Sequence, residues 1–148
     1  MHLPFHWPFR VRYSEVDYQG IAYNAHYLAW FDTTIHEFFK AVAYDYTALR
    51  ATTGCDFHTV RALVEFRRPL RLDEDFEVHL EISRIGRSSL TFALAAVVPG
   101  EVEPRATGEV VWVHADQTSM RGSPLPDDLR SRLSAEGAGE DSGQSQVD

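Results

Sequence analysis

The chain of 148 residues is 44% hydrophobic and 12% aromatic, which is enough to build the core of one ordinary domain. Acidic residues outnumber Lys and Arg by 22 to 14, and the formal charge of −8 argues against a general nucleic-acid binder, which usually carries a basic face. Cys55 is the only cysteine, so no disulfide can form within the chain.

The first and last stretches predict location and domain boundaries. The opening MHLPFHWPFR has no charged region followed by an apolar run, unlike a signal peptide. No stretch reaches the roughly 18 to 20 apolar residues of a membrane-spanning helix, so we expect a cytoplasmic protein outside the membrane. Residues 135–148 carry four acids, no Lys or Arg and little to bury. They are expected to form a disordered acidic tail after a single domain at 1–134.

Hydrophobic periodicity in the first third predicts a strand and then a long helix. Apolar and polar residues alternate over 9–14, which is typical of a half-buried strand, and a turn is expected over 17–20. From about Asn24 the period changes to steps of three and four, as in an amphipathic helix. The apolar stripe of this helix consists of Tyr27, Phe31, Ile35, Phe38 and Val42. So much aromatic area must be covered by something broad, such as a sheet.

The remaining elements are mostly strands. A shorter helix is expected near 47–52, ended by Gly54, and a closing helix over 127–133. Four strands are predicted at 57–68, 76–85, 89–98 and 105–115. In the first of them, the even-numbered residues from His58 to Phe66 are expected on one side. The order indicates an α+β fold, with one antiparallel sheet of about five strands wrapped around the long helix.

A short motif stands at the predicted turn and helix start. Its residues are Asp17, Gly20, Tyr23 and Tyr27, and the later stretches FRRPLRLDEDFEV and RIGRSSLTF accompany it. On these features, residues 9–133 resemble a hot-dog-fold thioesterase of the 4-hydroxybenzoyl-CoA thioesterase-like group. Many members of that group have His and then Asn after the aromatic residue, whereas this chain has Asn24 and then His26.

The resemblance implies an activity and an assembly. It implies hydrolysis of the thioester of an acyl- or aroyl-CoA, with coenzyme A thioester as the substrate partner and no cofactor. It also implies homodimers with active sites at the subunit interface, commonly assembled into homotetramers as dimers of dimers. A non-catalytic acyl- or aryl-binding hot-dog protein is the alternative, and hydratase chemistry is less favoured because the usual Asp and His pairing is not evident.

Asp17 is suited to thioester cleavage by its position before a helix start. Free N–H groups and the positive dipole end of a helix stabilise an oxyanion, while a nearby carboxylate attacks the carbonyl or activates a water. The resemblance implies the same roles, with Asp17 as nucleophile or general base and the backbone N–H of Asn24 polarising the thioester oxygen. The competing interpretation is that Asp17 only forms the turn.

Two tyrosines are candidates for the acyl pocket. Tyr23 precedes the helix, and Tyr27 lies on its apolar stripe, where it is equally well interpreted as a core residue. Glu37 is a second acid on the helix, and some hot-dog enzymes act through a helical glutamate. Because it lies well past the helix start, we interpret Glu37 as a solvated residue.

A second group of candidates follows Gly86. Arg87, Ser88 and Ser89 offer a guanidinium and two hydroxyls that suit the phosphates of coenzyme A, although an ordinary hairpin turn also fits. The basic cluster of Arg67, Arg68 and Arg71 is interpreted as a solvated strand end. No Gly-x-Ser-x-Gly elbow is present, and the seven histidines show no zinc-protease spacing, so no metal is predicted.

Overall fold

Five strands form one antiparallel sheet in the computed structural model, which describes residues 5–135. The strands are β1 (Phe5–Arg10), β2 (Cys55–Phe66), β3 (Asp75–Ile85), β4 (Ser89–Val97) and β5 (Ala106–Asp116). Their order across the sheet is β1-β3-β4-β5-β2, so β1 and β2 are the two edges. The predicted number of strands and their antiparallel pairing are confirmed.

Three helices accompany the sheet: α1 (His26–Ala41), α2 (Leu49–Thr53) and α3 (Asp127–Ala135). The long helix α1 ends where Val42 caps it and Ala43 adopts a positive φ of 56°. Its buried residues are Tyr27, Trp30, Phe31, Thr34, Ile35, Phe38 and Phe39. The predicted apolar stripe is therefore confirmed as the face that α1 buries.

The sheet wraps around α1, and aromatic contacts fill the space between them. Phe39 stacks on Trp112 of β5 with ring centroids 5.7 Å apart. Gly108 lets α1 come close to the sheet, because a Cβ at this position would lie 2.4 Å from Cε2 of Phe31. This confirms the predicted α+β arrangement of one sheet around one helix.

The first strand lies earlier in the chain than the alternation predicted. It covers 5–10 rather than 9–14, and Tyr13 is 84% exposed in a short 3-10 turn. Phe5 and Phe9 share the alternation of the later residues and face α1, so the pattern alone did not fix the strand's start. The strand stops because Glu15 accepts a hydrogen bond from the backbone N–H of Arg12, which closes the turn.

A bulge in β2 overturns part of a second prediction. The pairing with β5 shifts between Thr59 and Arg61. Odd-numbered residues before this bulge therefore face the same side of the sheet as even-numbered residues after it. Phe57, rather than His58, packs against the core before the bulge, whereas Val64 does so after it. Even-numbered residues therefore face α1 only in the second half of the strand.

The predicted acidic tail at 135–148 lies outside the described residues, except for Ala135, which ends α3. Helix α3 thus runs two residues beyond the predicted 127–133. Within residues 5–135, no helix is both long enough and apolar enough to cross a bilayer.

Candidate active site

The turn that carries Asp17 is held by its own backbone. The N–H of Asp17 donates to the carbonyl of Ile21 at 3.0 Å, and the N–H of Gly20 donates to the carbonyl of Asp17 at 3.0 Å. Gly20 has a φ of +76°, which favours glycine. Asp17 Oδ1 accepts from the N–H of Gln19 at 2.8 Å, whereas Oδ2 has no donor among the described residues. One carboxylate oxygen is therefore anchored and the other is available for chemistry.

A buried glutamate ties this turn to α1. Glu15 is 5% exposed and accepts from the indole N–H of Trp30 at 2.9 Å, and Arg12 forms an ion pair with it. Burial alone would raise the pKa of Glu15, but hydrogen bonds from Arg12 and Trp30 outweigh burial and lower that pKa. The carboxylate therefore stays charged and fixes the segment two residues before Asp17.

The start of α1 leaves two backbone donors without acceptors. The N–H of His26 bonds to the carbonyl of Tyr23 at 3.0 Å, and that of Tyr27 to the carbonyl of Asn24 at 3.3 Å. No side chain caps the helix, and no described residue accepts from the N–H of Asn24 or Ala25. These two donors can serve an anionic oxygen. The family resemblance implied a role for the N–H of Asn24 but not for that of Ala25.

Asp17 and Asn24 line one open pocket of about 410 Å³. Its lining residues are Asp17, Gln19, Ile21, Ala22, Tyr23, Asn24, Tyr27, Phe66, Arg67, Arg68 and Pro69. Four of the residues singled out from the sequence thus surround the same space. The pocket therefore brings together the Asp17 carboxylate, the helix-start residue Asn24 and aromatic walls.

The two tyrosines occupy different depths. Tyr23 is 49% exposed at the rim, whereas Tyr27 is 2% exposed and meets Phe66 edge-on with ring centroids 5.0 Å apart. The Tyr27 hydroxyl accepts a long hydrogen bond of 3.5 Å from the N–H of Leu70, and burial raises its pKa. Tyr27 therefore belongs to both the core and the pocket floor.

Arginines form the wall opposite the helix start. Arg67 and Arg68 are exposed, as expected of a strand end, but both line the pocket. Arg68 bonds to Glu101 at 2.7 Å, whereas no carboxylate within residues 5–135 lies at ion-pair distance from Arg67. Arg71 does not line this pocket. Its backbone N–H donates to Glu74 at 2.8 Å.

A nearly buried residue, Arg105, holds this wall in place. Its carbonyl accepts from the N–H groups of Arg67 and Arg68, and its guanidinium donates to the carbonyl of Pro69 at 2.6 Å. The same guanidinium forms ion pairs with Glu74 at 2.9 Å and Glu101 at 2.8 Å. Sequence patterns did not identify Arg105, because its partners are far apart along the chain.

The turn with Arg87, Ser88 and Ser89 lies away from this pocket. Ser88 is 0% and Ser89 4% exposed, so their hydroxyls do not face open solvent in a single chain. The turn follows the last residue of β3, whereas the pocket lies near its first residue. Eleven residues of strand span about 35 Å, so the turn and the pocket lie at opposite ends of the sheet.

Glu37 on α1 is less exposed to solvent than the sequence predicted. The side chain of Glu37 is 17% exposed and lies 3.5 Å from Nζ of Lys40. It does not line the Asp17 pocket.

Sequence comparison identifies the family. The sequence profile of the thioesterase-like superfamily matches residues 11–133. The acyl-CoA thioester hydrolase YbgC of Escherichia coli O6:H1 is 31% identical over 122 residues, covering 82% of this chain and 90% of the relative. The chain belongs to the thioesterase-like superfamily and is a thioester hydrolase.

Solved structures agree on the fold. A 1,4-dihydroxy-2-naphthoyl-CoA thioesterase from Synechocystis superposes with a TM-score of 0.81 at 14% identity, covering 88% of this chain and 95% of that one. A hypothetical protein from Aquifex aeolicus gives 0.78 at 25% identity, covering 88% and 99%. The sheet wrapped around α1 is the hot-dog fold.

Proposed function

We propose that this thioesterase hydrolyses acyl- or aroyl-CoA, with Asp17 as nucleophile or general base. The main supporting observation is that Asp17, which has an available carboxylate oxygen, and Asn24, whose N–H has no acceptor among the described residues, line one pocket. A thioester carbonyl in that pocket would have an attacking group on one side and oxyanion donors on the other. The names of the E. coli relative and the Synechocystis neighbour support a CoA thioester as the substrate.

Two routes fit these groups. In the first, an Asp17 oxygen bonds to the carbonyl carbon, the C–S bond breaks, and the thiolate takes a proton from solvent. Water then hydrolyses the mixed anhydride. In the second, Asp17 takes a proton from an attacking water, and that proton passes to the departing thiolate. In both routes, the N–H groups of Asn24 and Ala25 stabilise the negative oxygen.

The pocket walls favour an apolar or aromatic acyl group. Tyr23, Tyr27 and Phe66 offer ring surfaces, and Arg67 is a cation within reach of a negative group on the substrate. Aromatic walls bind flat or apolar groups mainly by burying their apolar surface and by ring contacts.

Two copies are proposed to complete the site. Because the 87–89 turn lies at the opposite end of the sheet from the pocket within one chain, it would serve the pocket of a partner subunit. Edge strand β2 is twelve residues long and exposes Val60 and Phe66, so pairing with a second β2 would cover them. This arrangement supports a dimer, and the tetramer of two dimers remains what the family resemblance implies.

The test is release of free thiol from a panel of short-chain, long-chain and aromatic acyl-CoAs. We expect catalytic turnover of at least one class at low enzyme concentration. The rival function, a non-catalytic acyl- or aryl-binding protein, predicts that calorimetry detects ligand binding while no thiol is released from any member of the panel.

Arg87→Ala is expected to raise KM for a CoA thioester while changing KM little for the matching N-acetylcysteamine thioester, which lacks the phosphates. Arg67→Ala serves as the comparison, because Arg67 borders the pocket itself. An equal effect of Arg87→Ala on both substrates would show that Arg87 acts structurally.

Mixed subunits provide the control for assembly. Chains carrying Asp17→Asn are inactive in their own pocket, and chains carrying Arg87→Ala lack the phosphate contact. If the turn serves the partner's pocket, a mixed dimer contains one complete site, and mixing restores low-KM turnover. No restoration after subunit exchange would argue against a shared site.

A further inference from the structure

Three potential metal ligands meet on the side of the sheet that faces away from α1. The ligand atoms of His6, Glu77 and His79 all lie within 4.8 Å of one another. His6 of β1 is the direct cross-strand partner of His79 of β3, and their rings stack with centroids 5.2 Å apart. Nε2 of His79 lies 2.9 Å from a carboxylate oxygen of Glu77.

This cluster is separate from the candidate active site. The neighbouring strand residues Phe5 and Phe76 turn the other way, towards α1 and the core. Because side chains alternate along a strand, His6, Glu77 and His79 project from the opposite face. None of the three lines the Asp17 pocket.

We propose that His6, Glu77 and His79 bind a divalent transition-metal ion of the zinc class. Two imidazoles and one carboxylate form a ligand set that zinc uses with a water in the fourth position. Imidazole nitrogen favours zinc, copper and nickel, whereas magnesium and calcium prefer oxygen ligands. The two imidazole ligands therefore favour zinc, copper and nickel over magnesium and calcium.

The backbone already brings the ligands almost to binding distance. Tetrahedral zinc with bonds of about 2.1 Å places its ligand atoms roughly 3.4 Å apart. Closing from at most 4.8 Å needs only side-chain rotation, because strand pairing fixes the three Cα positions and His6 is exposed. The ion would replace the 2.9 Å contact between Nε2 of His79 and the Glu77 carboxylate.

Neighbouring positions leave room for an ion. Pro8 pairs with Glu77 across β1, and Ala95 pairs with His79 across β4, so neither neighbour offers a competing polar side chain. Glu81 follows His79 by two residues on the same face and adds negative charge. Both features favour a cation at this position.

Metal binding would stabilise the pairing of edge strand β1 with β3. Among the strands of residues 5–135, β1 pairs only with β3, so an ion held by ligands from both strands opposes their separation. Zinc should therefore slow hydrogen exchange of the β1 amides that pair with β3, without any need for a change in hydrolysis.

The experiment uses tag-free protein stripped with a chelator and dialysed against zinc. We expect one zinc per chain and a rise in Tm of about 5–10 °C at a hundredfold excess over Kd. His6→Ala and His79→Ala should each weaken zinc binding by about tenfold or more, since losing even an outer-shell partner costs 10–100-fold. Magnesium and calcium should have no effect at the same concentration.

His36→Ala is the matched control, because His36 is exposed on α1 and lies outside the cluster. It should bind zinc like the wild type. Circular dichroism without metal shows whether each variant is folded. Equal zinc affinity in folded wild-type, His6→Ala and His79→Ala proteins would overturn the proposal, as would a stoichiometry well below one.

Discussion

Replacing Asp17 by Asn is expected to lower kcat by about 10²–10⁴-fold or more, with substrate binding retained. The amide has neither the negative charge needed to attack the thioester nor the basicity needed to activate water. The measurement is steady-state thiol release with the best acyl-CoA, together with calorimetric binding of a non-hydrolysable thioether analogue.

The structure explains why Asp17→Asn should impair catalysis without impairing folding. Asp17 Oδ1 accepts from the N–H of Gln19, and an Asn carbonyl oxygen can accept the same bond. The turn therefore survives, and Tm should hardly move. If Asp17 were only a turn former, Asp17→Asn would hydrolyse its substrate at nearly the wild-type rate.

Glu37→Gln is the matched control. Glu37 lies about 16 Å along α1 from the helix start and outside the pocket. Glu37→Gln removes one carboxylate, as Asp17→Asn does, but should leave kcat nearly unchanged. A large loss in Glu37→Gln with little change in Asp17→Asn would reverse the proposed assignment.

Periodicity was sufficient for the main elements of the fold. The stripe on α1 was readable because one face is buried over sixteen residues, and each of the other strands carried an alternating or apolar signal. The register was not readable, because it depends on pairing. Residues 5–14 alternate throughout, and only contact with β3 selects Phe5–Arg10. The bulge after Thr59 likewise arises from pairing with β5.

The same distinction explains the candidate site. Asp17, Tyr23, Asn24 and Tyr27 are close in sequence, so a local motif could identify them. The opposite wall joins the end of β2 to Arg105 on the way into β5, and no local spacing predicts that contact. The histidine and glutamate cluster was missed for the same reason, since its ligands come from β1 and β3.

Removing the Arg105 side chain is expected to cause the largest loss of stability. Arg105 is 8% exposed and binds two carboxylates and a backbone carbonyl, so Arg105→Met removes the cation that Glu74 and Glu101 share and leaves Glu101 with Arg68 alone. The side chains of Glu74 and Glu101 are 28% and 29% exposed, so the loss of stability should be smaller than that caused by breaking a fully buried ion pair. Tm should nevertheless fall by several degrees at neutral pH.

Acidification provides a second test of the network that Arg105 forms with Glu74 and Glu101. Hydrogen bonds from Arg105 lower the pKa of Glu101 to about 2, and they also lower the pKa of Glu74. Because these pKa values are lower in the folded chain, the stability they contribute is present above about pH 4.5 and is lost as pH falls towards 2. Arg105→Met should therefore lose less stability over that range than the wild type.

Arg10→Ala distinguishes this network from an ordinary surface pair. Arg10 and Asp75 are both 64% exposed at their side chains, so breaking their ion pair should change Tm little. Because the Arg105 guanidinium also donates to the carbonyl of Pro69, which lines the pocket, Arg105→Met should in addition raise KM at temperatures where it remains folded. A folded Arg105→Met protein with wild-type Tm, pH dependence and KM would contradict a supporting role for this network.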